Sequence, residues 1–228
     1  MASAHIVVTM ILAHLRRKIK MLNKLFFHTK MSYKNVVLFA IGAALFSALM
    51  LILPFTVHTS LSNIGTYLES WVLFALIICM NCNKPLEAGL KTFLFFLISQ
   101  PLIYLLQVPF SSLGWQLFMF YPRWGIISLL TFPGAMIAWY IKKDSVLSAI
   151  ILSVATSFLV FQGIYFMCEC LNFPPHNLLS FIYCFVLVFV FILTLLKKKT
   201  NRIVAFSITG IALLVSIWVQ VFLMGFAF

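Results

Sequence analysis

The sequence predicts an all-α, polytopic integral membrane protein: a bundle of seven transmembrane helices, N-terminus inside and C-terminus outside. Three observations carry this expectation. Hydrophobic residues make up 64% of the chain and charged residues 9%, against about 25% charged in a soluble globular protein. Seven apolar stretches follow one another, at roughly 35–57, 61–81, 86–107, 124–141, 145–169, 177–196 and 203–226, matched to a hydrocarbon core of about 30 Å. The segments between them alternate in charge. With the N-terminus inside, the inner segments hold 15 of the 16 Lys and Arg, and the outer ones hold Arg123 alone. One missed or invented span would scramble that split, so it supports the count and the orientation together.

The net charge of +12 therefore belongs to a membrane surface. Lys outnumbers Arg by 12 to 4, which suits lipid phosphates better than bidentate reading of bases. The expected partner is the lipid bilayer of a cell (inner or plasma) membrane, not nucleic acid. The chain has no Asn-x-Ser/Thr acceptor, which favours a bacterial source.

Residues 1–34 form a basic amphipathic segment ahead of a seven-helix domain at 35–228. The apolar run Ile6 to Leu15 is too short to span. Arg16, Arg17, Lys18 and Lys20 follow it rather than precede it, the reverse of a signal peptide. Val8, Leu12, Leu15, Ile19, Leu22 and Phe26 recur at helical spacing, as in a helix lying among headgroups. A second reading stands beside this one: Met21 and Met31 are both suitable starts, so residues 1–30 need not be translated.

The first span places Ala40, Ala44 and Ala48 in a row of small residues, a packing face for another helix. The second is the odd one. Its uninterrupted apolar run, Trp71 to Met80, is about 15 Å long, so it must take Thr66, Glu69 and Ser70 into the outer leaflet to cross. The third carries Pro101 near mid-depth, and the fourth carries Pro133 and Gly134; these three residues are expected to break or kink their helices. Lys91 lies just inside the third span and is expected to snorkel to the inner surface. Segment 108–123 is rich in aromatic residues and reads as interfacial or re-entrant.

Polar residues recur on three spans. Gln100, Tyr104 and Gln107 share a face of the third. Ser153, Thr156, Ser157 and Gln162 mark the fifth, and Thr209, Ser216 and Gln220 the seventh. They line either a solute path or interhelical contacts worth about 0.6 kcal/mol each. Glu69 is the sharpest candidate, because an intramembrane carboxylate is costly and usually pairs with a cation or serves a pathway. Its candidate partners on the outer side are Arg123, His58 and His176.

Cys79-x-x-Cys82 has redox spacing but lies at the inner end of a span, without the βαβ context of a thioredoxin. Cys168, Cys170 and His176 make only a weak soft-metal signal. No nucleophile elbow, HExxH, Walker loop or dinucleotide fingerprint occurs. No catalytic residue, metal or cofactor is therefore expected. The functional expectation is a permease, or the membrane subunit of a small-solute transporter that would draw ATP-driven energy from a separate ATPase. The alternative is an accessory or assembly protein that binds partner helices; an intramembrane enzyme ranks last.

Overall fold

The computed structural model describes residues 21–57, 59–172 and 177–223. Residues 21–27 are α-helical, and eight α-helices follow: α1 (Tyr33–Ile52), α2 (Ser60–Thr66), α3 (Leu68–Met80), α4 (Pro85–Gln107), α5 (Tyr121–Ala138), α6 (Val146–Asn172), α7 (Leu178–Leu195) and α8 (Lys199–Trp218). Six helical segments are long and apolar enough to cross a membrane, and α2 with α3 makes a seventh if the bent pair is one span. The fold is an all-α polytopic bundle with no strand among the described residues.

Helix ends follow local chemistry. Ser32 caps α1 by accepting from the Asn35 amide at 3.3 Å. The first span stops at Ile52, short of the expected 57, because Leu53 precedes Pro54 and is held extended (φ −70°, ψ 127°). Pro85 opens α4 at a position where a missing N–H costs nothing. Asp144 turns the chain between α5 and α6 in the left-handed region (φ 46°), which Asp tolerates better than most residues. Its carboxylate accepts from the Lys198 amide at 2.9 Å and from Asn201 Nδ2 at 3.0 Å, tying that turn to the start of α8.

The helices form two groups of three. In one, α4 packs between α1 and α5; in the other, α6 packs between α7 and α8. The bent span bridges them, with α2 against α1 and α7, and α3 against α4, α5 and α6. Ala40, Ala44 and Ala48 are all buried on the α1 face, as their spacing predicts. Phe39, Trp71, Phe74, Phe95 and Phe96 interlock between α1, α3 and α4, with ring centroids 5.2–6.0 Å apart. Gly89 lets α4 and α5 meet, since a Cβ there would fall 3.0 Å from the Phe132 carbonyl oxygen.

One end of the bundle gathers the basic loops. The Thr29 amide donates to Asn81 Oδ1 at 2.8 Å, and Trp139 Nε1 and Lys142 Nζ both donate to the Cys82 carbonyl, at 2.9 and 2.7 Å. Phe26 is fully buried against Phe191, so residues just before α1 are part of the packed structure. The Lys91 side chain reaches back to the basic end. It is buried, donates to Glu87 and to the Met31 carbonyl, and lies 5.1 Å from the centre of the Tyr33 ring. Its neighbours there supply oxygens and a π face, so the ammonium is satisfied although buried.

Neither proline ends its helix. Both α4 and α5 are continuous helices through Pro101 and Pro133, and Gly134 lies inside α5. Proline removes one hydrogen bond and crowds the preceding turn, yet its fixed φ is itself helical, so a membrane helix held by its neighbours can absorb it. The break lies in the second span instead, where the axes of α2 and α3 differ by 43°. The aromatic segment forms two short 3-10 turns, Val108–Phe110 and Gly114–Phe120, leading into α5. Phe110, Trp115 and Met119 stand exposed there, as side chains of a membrane–water boundary do.

Candidate functional site

The central corner is built so that its broken backbone is satisfied. Tyr67 is extended (φ −77°, ψ 164°) and ends α2 while starting α3. The last carbonyls of α2 therefore lose helical partners and need donors, because lipid offers none. Ser70 Oγ donates to the Ile64 carbonyl at 2.5 Å, Ser47 Oγ of α1 to the Gly65 carbonyl at 2.5 Å, and Trp71 Nε1 to the Thr66 carbonyl at 3.3 Å. Gly65 allows α1 this close, since a Cβ there would lie 3.0 Å from Met50 Cβ.

Glu69 sits in the first turn of α3, fully buried, and neither carboxylate oxygen has a hydrogen-bond partner. Twelve residues separate it from Asn81 through unbroken helix, which puts it about 18 Å from the basic end. An uncompensated charge at such a site costs several kcal/mol. Tyr67 at the corner and Tyr183 and Cys184 of α7 lie within its electrostatic reach. Tyr183 Oη is 3.2 Å from Ser70 Oγ.

The expected cationic partner is not there. Arg123 stands exposed in the first turn of α5 and makes no ion pair among the described residues. The turns at 108–120 pack on the end of α4 and carry Arg123 outward instead of folding it into the bundle. His58 and His176 lie outside the described residues.

On the other side of the corner, the third-span stripe converges. Gln100, Tyr104 and Gln107 line a cavity of about 100 Å³ with Leu51, Ile103, Thr66, Trp71 and Trp124. Gln100 is buried and its Nε2 has no partner; the neighbouring Ser99 hydroxyl is likewise buried without one. Gln107 Nε2 donates to the Ile103 carbonyl at 3.2 Å. The lining carries amides, a phenol and indoles but no charge.

The other two stripes do not join this cavity. Thr156 and Thr209 meet each other across α6 and α8 at 2.8 Å, while Ser153 and Ser216 donate to the carbonyls of Ala149 and Ala212 in their own helices. These are helix-packing contacts. Gln162 is half-buried on α6. Gln220 is fully buried in a π-helical turn after α8, with both amide atoms unpartnered.

A polar chain that sequence spacing did not single out lies at the end away from the basic loops. Glu169 accepts from the Tyr165 hydroxyl at 2.5 Å and from Asn177 Nδ2 at 2.6 Å, and Asn177 Oδ1 accepts from Asn63 Nδ2 at 2.5 Å. Asn63 and Asn177 are 114 residues apart, so only the fold brings them together. A larger cavity of about 310 Å³ lies between α3, α4, α5 and α6; nearly all of its lining is apolar, Thr92 and Thr131 apart. Cys79 and Cys82 are buried free thiols, and burial pushes the Cys82 thiol up to about 11. No group of three metal-binding side chains occurs among the described residues.

Fold and site together define a multi-pass α-helical membrane protein, with a bent central span and a buried, unpaired carboxylate. No protein-family model, curated protein or solved structure matches the chain.

Proposed function

We propose that this protein is a permease, or the membrane subunit of a transporter, for a small neutral solute. The observation that carries this reading is the central span: it is broken at Tyr67, holds a buried carboxylate with no partner and bridges two helix groups. Broken helices between packed units are a recurrent way to hold a solute at membrane depth, and intramembrane carboxylates are costly enough to point to function. The uncharged lining of the Gln100–Tyr104–Gln107 cavity favours a neutral solute, and about 100 Å³ favours a small one. An energy-supplying ATPase would be a separate chain. A cell membrane with the basic end inside is the location that the loop charges favour.

The test is flux. The purified protein is reconstituted in vesicles, and swelling on exposure to small neutral solutes is followed by light scattering. Swelling faster than in protein-free vesicles, for some solutes and not others, is the expected result. Equal rates for every solute contradict the permease reading.

A second reading, an accessory protein that binds partner helices, draws on α5. Only Ser128 and Ala135 of that helix are buried, and Ile126, Leu129, Leu130 and Ile137 are exposed. Isolation from native membranes as a stable complex, together with absence of flux, would favour it.

A further inference from the structure

The chain has four acidic residues, and three of them are matched. Glu87 pairs with Lys91, Asp144 holds the Lys198 amide and Asn201, and Glu169 holds Tyr165 and Asn177. Glu69 alone is fully buried with two bare oxygens.

A carboxylate at that depth either carries a proton or ligates a cation. A hard metal cation takes about six oxygen ligands, and Glu69 belongs to no group of three metal-binding side chains among the described residues. A proton needs no such shell. Two opposed influences make both forms of the acid accessible. Burial disfavours the charge, while the free N–H groups and dipole at the start of α3 favour it.

The surroundings leave the proton to Glu69. Tyr67 faces it from the corner, and Tyr183 and Cys184 face it from α7. The titratable groups of α4 and α5 lie elsewhere: Glu87 and Lys91 are paired at the basic end, Tyr104 lines the small cavity, and Tyr121 and Arg123 sit at the start of α5. From α6, Glu169 reaches Tyr67, which is 38% exposed. Tyr67 thus interacts electrostatically with both the buried acid and the half-buried Glu169.

We infer that Glu69 binds and releases a proton within the membrane. The proton arrives from water and forms an O–H bond on one carboxylate oxygen; it leaves by the reverse step, and no other bond changes. Resting on the permease reading, this site couples solute passage to protons.

The experiment is carbodiimide labelling of the full wild-type chain in lipid vesicles. Dicyclohexylcarbodiimide adds to protonated carboxyls in apolar surroundings. Adducts are located by peptide mass spectrometry across a series from about pH 5 to about pH 9, which spans the carboxylate range and its usual upward shifts. The expected result is one adduct, on Glu69, with a yield that falls as pH rises and does not respond to sodium. No adduct on Glu69, or a yield independent of pH, overturns the inference, and protection by sodium overturns it in favour of a cation site. Because the labelling is read on the wild-type chain, no variant has to fold. The same vesicles are assayed for swelling. Labelled Glu69 without solute flux upholds the proton site and refutes the permease reading; flux with unlabelled Glu69 refutes the proton site alone.

Discussion

Ser70 and Glu69 are neighbours with opposite expected roles, and exchanging each separates structure from function. Ser70→Ala removes the donor that satisfies the Ile64 carbonyl at the corner and the contact with Tyr183. The stranded carbonyl costs about 1–3 kcal/mol, and the contact with Tyr183 adds about 0.5–1.5 kcal/mol. At about 2–4 °C per kcal/mol for a chain of this size, the midpoint of thermal unfolding should fall by roughly 3–18 °C. Glu69→Gln replaces one unpartnered group by another of equal size and strands no cation. Its effect should stay within about 1 kcal/mol of wild type. The assay is thermal unfolding of the detergent-purified variants, with Gly42→Ala as a control, since a Cβ at Gly42 meets no atom within 4 Å. A Glu69→Gln variant less stable than Ser70→Ala would refute the reasoning. It would mean that a buried cation had lost its partner, at about 3–5 kcal/mol.

Four further outcomes follow from the packing. Lys91→Met strands the Met31 carbonyl and leaves Glu87 without its cation, so it should destabilise by about 1–3 kcal/mol in the same melt, whereas exposed Lys84→Met should change little. Phe26→Ala empties a fully buried site against Phe191 and should cost about 3–5 kcal/mol; a chain begun at Met31 should show the same loss of stability. Gly89→Ala drives a methyl to 2.8 Å from Met136 Cγ and 3.0 Å from the Phe132 carbonyl oxygen, for an expected loss of about 1–3 kcal/mol in the thermal melt. Cys82 remains a protonated, buried thiol until the pH approaches about 11, so maleimide labelling of the folded protein should be slow at neutral pH and rise on denaturation.

The all-helical membrane class and the approximate span positions were legible in the sequence because membrane thickness acts residue by residue along the chain. The buried face of Ala40, Ala44 and Ala48 was legible for the same reason: helical periodicity is local. The corner at Tyr67 was not. Its stability depends on Ser47 of another helix, and no spacing rule ties Ser47 to Gly65. Pro101 and Pro133 do not end their helices, which pack on each other and on α1 and α3. Glu69 was found by its depth alone. Its expected partner Arg123 was not brought to it, since charge sign says nothing about which way a loop folds. The Asn63–Asn177–Glu169 chain was illegible for the same reason as the corner: its members meet only in three dimensions.

The central claim is that the bent span carries solute passage and that Glu69 takes part in it. The most direct measurement is solute-driven swelling of vesicles holding wild-type protein or Glu69→Gln at matched amounts of folded protein. The account predicts selective swelling with the wild type and rates near those of protein-free vesicles with Glu69→Gln, although the two melt at about the same temperature. Swelling that is equal in the two, or no faster than in protein-free vesicles for both, would contradict it.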